Sequence, residues 1–254
     1  MYRPRIIPIL LLKNLGLVKT TKFKDYNYIG DPINAVRIFN DLKADELIFL
    51  DITATSENRT IDFKFIKEIS DEAYMPFSVG GGIKSIEDAS AIINQGAEKI
   101  VLNSSCYNNP DLISEAAKLF GSQSVVISID IYKNFMGNYC LYSHGGKKKQ
   151  KESIISWIKK VVELGAGEIL INSINNDGMM NGYDLDIIKK VSNNVEVPVV
   201  ACGGAGNYNH FKSAIDVGAH AVSAGSLFVY HGSRKAVLIN YPSIEQIKEI
   251  GFND

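Results

Sequence analysis

The chain repeats part of itself at an offset of 122 residues. Without a gap, the repeat pairs ELIFLDITA (46–54) with EILINSINN (168–176), MPFSVGGGI (75–83) with VPVVACGGA (197–205), and QGAEKIVLNSS (95–105) with VGAHAVSAGSL (217–227). Each copy holds one glycine-rich turn and one turn of small residues. Self-similarity on this scale indicates a duplicated ancestor. We therefore expect two equivalent halves, about residues 1–122 and 123–254, with two equivalent ligand sites.

Short apolar runs alternate with amphipathic stretches along the whole chain, as in βα units around a parallel sheet. The predicted strands are Arg5–Leu12, Glu46–Ile52, Met75–Val79, Lys99–Asn103, Ser124–Asp130, Glu168–Asn172, Val197–Ala201 and Ala221–Ala224. Ile83–Asn94 predicts one of the helices, with Ser85 as its N-cap and Asp88 three residues later. Eight such units close a barrel. We predict an α/β fold with a single (β/α)8 TIM barrel domain over residues 1–254, built from two half-barrels.

Composition excludes several classes of partner. Lys and Arg (27) nearly balance Asp and Glu (28), so the net charge gives no attraction to nucleic acid or to an acidic membrane. We find neither a leader pattern nor a run of about 20 apolar residues, and we expect a cytoplasmic protein without nucleic-acid or membrane partners. Cys106, Cys140 and Cys202 lack metal-type spacing, so we predict reduced thiols, no metal site and no cofactor.

Glycine-rich turns predict binding of a phosphorylated small molecule. GGGIKS (80–85) leaves a strand and opens a helix, so its backbone N–H groups can approach an anion beside the positive end of the helix dipole. Small residues recur at the next strand end and in the second half of the repeat. The predicted phosphate-binding residues are Gly81, Gly82, Asn103, Ser104, Gly203, Gly204, Gly225 and Ser226. The second set follows strands seven and eight, where barrel phosphate sites are common.

Aspartates lie at the predicted strand ends, on the face where barrel enzymes hold catalytic groups. Asp51 ends the second strand and Asp177 follows the sixth, where helix capping is the ordinary alternative to acid or base chemistry. Asp130 ends the fifth strand and precedes a long segment instead of a helix, so we expect a general acid or base there. We expect that segment, 132–152, to be a mobile loop over the mouth, with His144 contacting substrate.

Motifs along essentially the whole chain match one known family. They are RIIP (5–8), GLVK (16–19), DELIFLDITA (45–54), VGGGI (79–83), GAEKIVLNSS (96–105), HGGKK (144–148), DGMMNGYDL (177–185) and CGGAGNYNHF (202–211). With them the chain resembles the cyclase subunit of imidazole glycerol phosphate synthase, a histidine-biosynthesis barrel. The resemblance implies a (β/α)8 barrel that takes ammonia from a glutaminase partner through its interior. It also implies two catalytic aspartates acting on a bisphosphorylated ribotide.

The resemblance assigns roles by position. Gly82, Asn103, Ser104, Gly204, Gly225 and Ser226 match the phosphate-binding positions of the family. Lys19 matches a loop lysine that closes over substrate, and Asp130 matches one catalytic aspartate. The other catalytic aspartate falls at Leu11, which has no titratable group, so its proton transfer cannot occur here. Asn175 is a further departure, at a position where the family usually has an acid.

Four charged residues match a ring that gates ammonia entry in the family, at the bottom of the barrel. They are Arg5, Glu46, Lys99 and Glu168, which the resemblance implies are salt-bridged around the opening. A charge near a strand start is ordinarily a solvated surface group. The ring implies that the glutaminase partner docks on this N-terminal face, because neutral ammonia passes where ammonium would be desolvated at high cost.

Several functions remain open at this stage. A subgroup of cyclase-like paralogues, which this chain resembles in IIPILLLKN (6–14) and residues 17–40, is associated with amidation of bacterial surface sugars. It works with a glutaminase and a separate sugar amidotransferase, so this chain would relay ammonia. One alternative is a genuine histidine-biosynthesis cyclase, in which Asp130 suffices or Asp51 or Asp177 substitutes. Others are a non-catalytic barrel that binds a phosphorylated metabolite, and an isomerase of the sister family.

Overall fold

The structure, a computed structural model, describes residues 3–232 and 234–252. Its strands are β1 Arg5–Lys13, β2 Gly16–Thr21, β3 Lys24–Gly30, β4 Leu47–Asp51, β5 Phe77–Gly80, β6 Lys99–Leu102, β7 Val125–Lys133, β8 Tyr139–Ser143, β9 Lys148–Lys149, β10 Glu168–Ser173, β11 Val199–Cys202, β12 Ala221–Ala224, β13 Tyr230–His231 and β14 Ala236–Val237. Its α-helices are α1 Pro32–Asp41, α2 Phe63–Glu72, α3 Ile86–Asn94, α4 Asp111–Phe120, α5 Ile154–Glu163, α6 Leu185–Ser192, α7 Tyr208–Asp216, α8 Ser226–Val229 and α9 Ile244–Glu249. Short 3-10 turns cover Ser104–Tyr107 and Ser122–Ser124.

Eight parallel strands form a closed barrel in the described part of the chain, which confirms the predicted fold class. They are β1, β4, β5, β6, β7, β10, β11 and β12 in order around the barrel, and β12 pairs with β1 to close it. Helices follow the strands and pack on the outside. The boundaries of the single domain and of its two half-barrels stay predictions.

Four of the predicted strands begin later than expected: the second at Leu47 and the fifth at Val125 are one residue late, and the other two are two residues late. The third begins at Phe77 instead of Met75, and the seventh begins at Val199 instead of Val197. In both cases the strand begins after a proline, Pro76 or Pro198, which has no N–H to give to the sheet. The prolines still contribute their carbonyls, which accept the N–H groups of Leu47 and Ile169.

Segment 132–152 is not the loop expected from the sequence. β7 runs on past Asp130 to Lys133, and β8 pairs with it antiparallel, with Tyr142 opposite Asp130. The prediction that the fifth strand ends at Asp130 was therefore wrong. Isoleucine and tyrosine follow Asp130, and they suit an extended strand whose partner returns through a turn at Asn134 and Gly137.

The helices begin where polar side chains cap them. Ser85 caps α3, and its hydroxyl accepts the N–H of Asp88, whose carboxylate in turn accepts the Ser85 N–H. This capping box confirms the predicted N-cap, and it shortens the predicted helix Ile83–Asn94 to Ile86–Asn94. Within residues 3–232 and 234–252, no helix has the length and apolar character needed to cross a bilayer.

Side chains that alternate along the barrel strands form two separate cores. The outward set, which includes Phe49 of β4, packs under the helices, whose largest buried side chains are Phe39 of α1 and Trp157 of α5. The inward set fills the barrel: Ile7, Ile9, Ile48, Val101, Val126, Leu170, Val200, Cys202 and Ala221, with Leu11 and Leu50 packed against it. The barrel interior between its two ends is therefore mostly apolar, with the buried Ser78 and Ser223 among its polar side chains.

Candidate active site

A cavity of about 760 Å³ opens at the carboxyl ends of the barrel strands. It is lined by every mouth residue predicted from the sequence: Leu11, Lys19, Asp51, Gly81, Gly82, Asn103, Ser104, Asp130, His144, Asp177, Gly203, Gly204, Gly225 and Ser226. Their chemical roles stay predictions, but the fold brings them together. The four predicted gate residues do not line this cavity, because they lie at the opposite end of the barrel.

The first predicted phosphate site is built from backbone that leaves no room for a side chain. Gly82 has φ of +69°, and a Cβ there would lie 1.9 Å from the carbonyl oxygen of Arg59. The neighbouring strand end supplies Ser104, whose hydroxyl accepts the N–H of His144 at 2.9 Å. This bond joins the segment that was expected to be mobile to this side of the cavity. The His144 ring also bonds to the hydroxyl of the adjacent Ser143 at 2.7 Å.

The second predicted phosphate site repeats that backbone. Gly203 and Gly204, the counterparts of Gly81 and Gly82 in the repeat, also have positive φ, at +83° and +118°. Beside them, the ammonium group of Lys19 lies 2.4 Å from the position of a Cβ on Gly225, and it donates to the Ile9 carbonyl at 2.6 Å. Burial lowers the pKa of Lys19 to about 8. An anion at this site would stabilise the charged form and raise this pKa again.

Asp130 lies in the cavity on β7 and is buried. The side chain of Asn103 donates to its Oδ2 at 3.0 Å and also to the Ser128 carbonyl at 3.0 Å. Burial raises the pKa of Asp130 to about 7; Asn103 opposes this shift, and the nearby Asp177 carboxylate adds to it. A carboxyl that titrates near neutral pH can both donate and accept a proton, as a general acid or base must.

Asp130→Asn is expected to stabilise the chain at pH 8 and to have little effect near pH 4. The folded-state pKa lies above the ordinary 3.8, so the native chain loses stability as pH rises from about 4 through about 7. The gain at pH 8 should be on the order of 4 kcal/mol. Urea unfolding across this range measures it. The exposed control Asp41→Asn should show no such trend, and a pH-independent difference would contradict the assignment.

Asp177 joins the β2–β3 hairpin to the loop after β10. Its Oδ2 accepts the Thr20 hydroxyl at 2.9 Å and the Phe23 N–H at 3.3 Å, and its carbonyl accepts the Lys22 N–H at 3.0 Å. The hairpin tip places Lys22 and Phe23 at φ of +53° and +60°, in a region that side chains rarely adopt. The hairpin thereby covers the mouth, and it places Lys19 and Phe23 in the cavity wall.

Two other predicted positions hold loops in place. Asp51 accepts the N–H groups of Thr53 and Ala54 and forms an ion pair with Arg59 at 2.6 Å, so its oxygens are engaged. Asn175 receives the Lys133 N–H at 2.7 Å and donates to the Lys133 carbonyl at 3.0 Å. A carboxylate at position 175 could accept but not donate, so the amide suits this contact with the extended end of β7.

Leu11 adds apolar surface where the family resemblance expects a carboxylate. It lies opposite Leu50 of β4 and Val18 of β2, packs against the apolar interior and also lines the cavity. The strand-one side of the mouth therefore offers no titratable group at this position, and Asp130 faces the cavity from β7 on another side of the barrel.

The four predicted gate residues form a closed ring of ion pairs at the amino ends of the strands. Arg5 pairs with both Glu46 and Glu168. Lys99 also pairs with both carboxylates, at 3.0 Å each. The two glutamates are nearly fully buried, and they are counterparts in the 122-residue repeat. Burial opposes the charge of Arg5, but its two glutamates outweigh this and raise its pKa.

Some residues of the mouth were not singled out by the sequence. Ser128 and Asn172 line the cavity, and Arg59 holds Asp51. Side chains alternate between the two faces of a strand, so the sequence could have identified Ser128, which precedes Asp130 by two residues and faces the same side. Thr20 and Phe23 had no local signal, because their contacts with Asp177 span more than 150 residues.

Comparison with known proteins agrees with this geometry. The family model described as histidine biosynthesis protein matches residues 5–235. A Leptospira interrogans protein named "Putative imidazole glycerol phosphate synthase subunit HisF" is 50% identical over 96% of this chain and 97% of its own. The Pseudomonas aeruginosa "Putative imidazole glycerol phosphate synthase subunit hisF2" is 46% identical, over 97% and 99%. The Alkaliphilus metalliredigens "Imidazole glycerol phosphate synthase subunit HisF" is 44% identical, over 91% and 92%. The chain belongs to the histidine biosynthesis protein family, among relatives named as the HisF subunit of imidazole glycerol phosphate synthase.

Proposed function

We propose that this chain is the ammonia-receiving barrel of a glutamine amidotransferase complex, and that it passes ammonia to an acceptor at its mouth. One observation carries the proposal. A closed ring of paired charges lies at the amino end of a mostly apolar interior, and that interior leads to a mouth lined by Leu11, at the position where the family resemblance expects a carboxylate. In this proposal a glutaminase partner docks on the end of the barrel that holds the ring.

The apolar interior suits ammonia and not ammonium. The inward side chains between the ring and the mouth are mostly aliphatic. The polar ones are buried: Ser78 donates to Glu46 of the ring, and Ser223 lies beside the Cys202 thiol, whose pKa burial raises to about 12. A charged ammonium would lose its hydration there at a cost of many kcal/mol, whereas neutral ammonia loses far less. The ring pairs its own charges, so none of them is left to hold an ion at the entrance.

The mouth retains binding groups for a phosphorylated ligand but has lost half of its acid–base pair. Both glycine turns and Lys19 are in place, whereas Leu11 can neither give nor take a proton. We propose that the ammonia is therefore used elsewhere. From the paralogue resemblance, the acceptor is a bacterial surface-polysaccharide sugar, amidated by a separate sugar amidotransferase.

A second candidate is a cyclase that still works in histidine biosynthesis. It is favoured by Asp130, whose pKa near 7 suits proton transfer without a partner acid. A third, a barrel that binds a phosphorylated metabolite without turnover, shares the same cavity. The three differ in whether ammonia enters and in whether imidazole forms.

Glutamine hydrolysis tests the proposal directly. Mixing this chain with the glutaminase subunit from the same source should form a complex and raise hydrolysis at least about tenfold, a coupling of about 1.4 kcal/mol. The matched control is Lys67→Ala, which removes an exposed charge on the outer helix α2 and should stimulate as the native chain does. If the chain neither binds the glutaminase nor changes its rate, the ammonia-receiving role is wrong.

A further inference from the structure

Lys19 is buried in the mouth without an acidic partner. It is only 4% exposed, and it lines the cavity. In the described part of the chain, its Nζ has one hydrogen bond, to the Ile9 carbonyl, and no ion pair. Lys99 of the ring, by contrast, pairs with two glutamates. The charge of Lys19 is therefore poorly compensated, and the family resemblance gives this residue a binding role but no covalent one.

Such a setting favours an amine over an ammonium ion. Burial, partly opposed by the Asp177 carboxylate, lowers the pKa of Lys19 to about 8, so about a tenth of the groups are neutral at pH 7. A neutral amine that donates one hydrogen to the Ile9 carbonyl keeps its lone pair free. Gly225 makes room for this nitrogen, because a Cβ there would lie 2.4 Å from it. A desolvated lysine of this kind is a nucleophile toward carbonyl groups.

Two buried carboxyls in the same cavity can exchange the protons that this chemistry needs. Burial raises the pKa of Asp177, and it raises the pKa of Asp130 to about 7. The charge of Asp177 acts on both Lys19 and Asp130, so the three groups lie close together. A carboxyl that is partly protonated near neutral pH can donate to a carbonyl oxygen and later take a proton back.

The two predicted phosphate sites differ in what lies beside them. Gly82 follows β5 and Gly204 follows β11, the third and seventh strands of the barrel, so the two turns face each other across the mouth. Lys19 lies beside the second turn only. A second phosphate there would keep Lys19 charged, whereas an uncharged carbonyl leaves it free to react. The arrangement suits a ligand with one phosphate at the first turn and a carbonyl group at its other end.

We propose that Lys19 forms an imine with an aldehyde or ketone whose single phosphate is held at the first glycine turn. The Nζ lone pair forms a C–N bond to the carbonyl carbon as the C=O π bond breaks. A buried carboxyl protonates the oxygen, and its carboxylate takes a proton back from the nitrogen. The C–O bond then breaks in the same way, so the amine loses two protons and the carbonyl its oxygen as one water. No oxidant or reductant takes part.

Reductive trapping tests the imine on the full chain without any partner. The chain is incubated at pH 7 with ribose 5-phosphate and cyanoborohydride, which reduces an imine to a stable secondary amine, and mass spectrometry locates the modified peptide. We expect labelling of Lys19 on the order of 100-fold faster than that of exposed lysines such as Lys67, because far more of its amine is neutral. No adduct at Lys19, or equal labelling of exposed lysines, would overturn the proposal.

The phosphate and the pH supply two further readouts. Ribose without phosphate should label Lys19 about tenfold more slowly or less, and inorganic phosphate should slow the reaction with ribose 5-phosphate. Equal rates with ribose and ribose 5-phosphate would reject a ligand held by its phosphate. The rate should level off above about pH 8, where Lys19 is neutral. A rate that keeps rising to about pH 10 would indicate an ordinary lysine and contradict the proposal.

Variants confirm the reacting amine. Lys19→Met removes the amine, and Lys19→Arg keeps a positive charge that cannot form an imine, so both should lose the labelled peptide. Lys67→Arg, at an exposed position on α2, is the matched control and should label at Lys19 as the native chain does. The native peptide map locates the adduct by itself, so the test stands even if a Lys19 variant fails to fold. Labelling of a folded Lys19→Arg chain at the native rate would reject the assignment.

The trapping and the glutaminase assay fail independently. The inference rests on the proposed function only in taking the ligand of the mouth to be phosphorylated, and trapping needs neither ammonia nor a partner. Labelling of Lys19 without glutaminase stimulation would retain this site and reject the proposed function. Stimulation without labelling would retain the function and reject this site.

Discussion

Leu11→Asp is expected to form imidazole from the bisphosphorylated ribotide and ammonium at a rate about 100-fold or more above the native chain, because positioned acid–base groups contribute on that scale. The native side chain lines the cavity that also holds Asp130, so a carboxylate at position 11 would face the same ligand. Both glycine turns and Lys19 already stand around that cavity. The measurement is product formation with excess ammonium salt at alkaline pH.

Two further variants separate chemistry from packing. Leu11→Asn introduces a polar side chain of the same size that cannot exchange a proton, so it should stay at the native rate. Adding Asp130→Asn to Leu11→Asp should remove the gained activity, because one acid–base group is then missing again. Robust turnover by the native chain would reject the relay function and favour the histidine-biosynthesis cyclase.

The fold could be predicted because its signals are local. Each barrel strand is a short apolar run, and the alternation of strands with amphipathic helices leaves few topologies for a parallel sheet. The 122-residue repeat also predicts that the two glycine turns are equivalent. Gly81 and its counterpart Gly203 do both have a positive φ. Two strands begin two residues late, where Pro76 and Pro198 interrupt the N–H pattern, and β7 runs three residues past its predicted end at Asp130.

The mouth could be predicted only in part, because its shape depends on contacts between distant residues. Parallel strand ends meet at one face, so the sequence could place Asp130 and the glycine turns together. It could not show that β7 continues into a hairpin, since strand or loop there depends on pairing with β8. Nor could it show Asp177 holding the tip of the β2–β3 hairpin, a contact made through backbone N–H groups that every residue has.

The ring gives the last prediction. Glu168→Leu should lower the free energy of unfolding by about 3 kcal/mol, because it leaves Arg5 and Lys99 sharing one carboxylate. The value lies at the low end for broken buried pairs, since the Arg5 side chain is one-third exposed and water can solvate it. Urea unfolding measures the change. Glu163→Leu, at an exposed position on α5, is the matched control and should change it little.

A second substitution distinguishes an unpaired charge from lost packing. Adding Lys99→Met to Glu168→Leu leaves Arg5 paired with Glu46, so part of the lost stability should return, although Lys99 also contacts Glu46. A double variant no more stable than the single one would mean that the ring stabilises through packing. Both variants open the ring while leaving the mouth untouched. If the ring gates ammonia, they should also reduce ammonia transfer from glutamine while activity with added ammonium persists in a Leu11→Asp background.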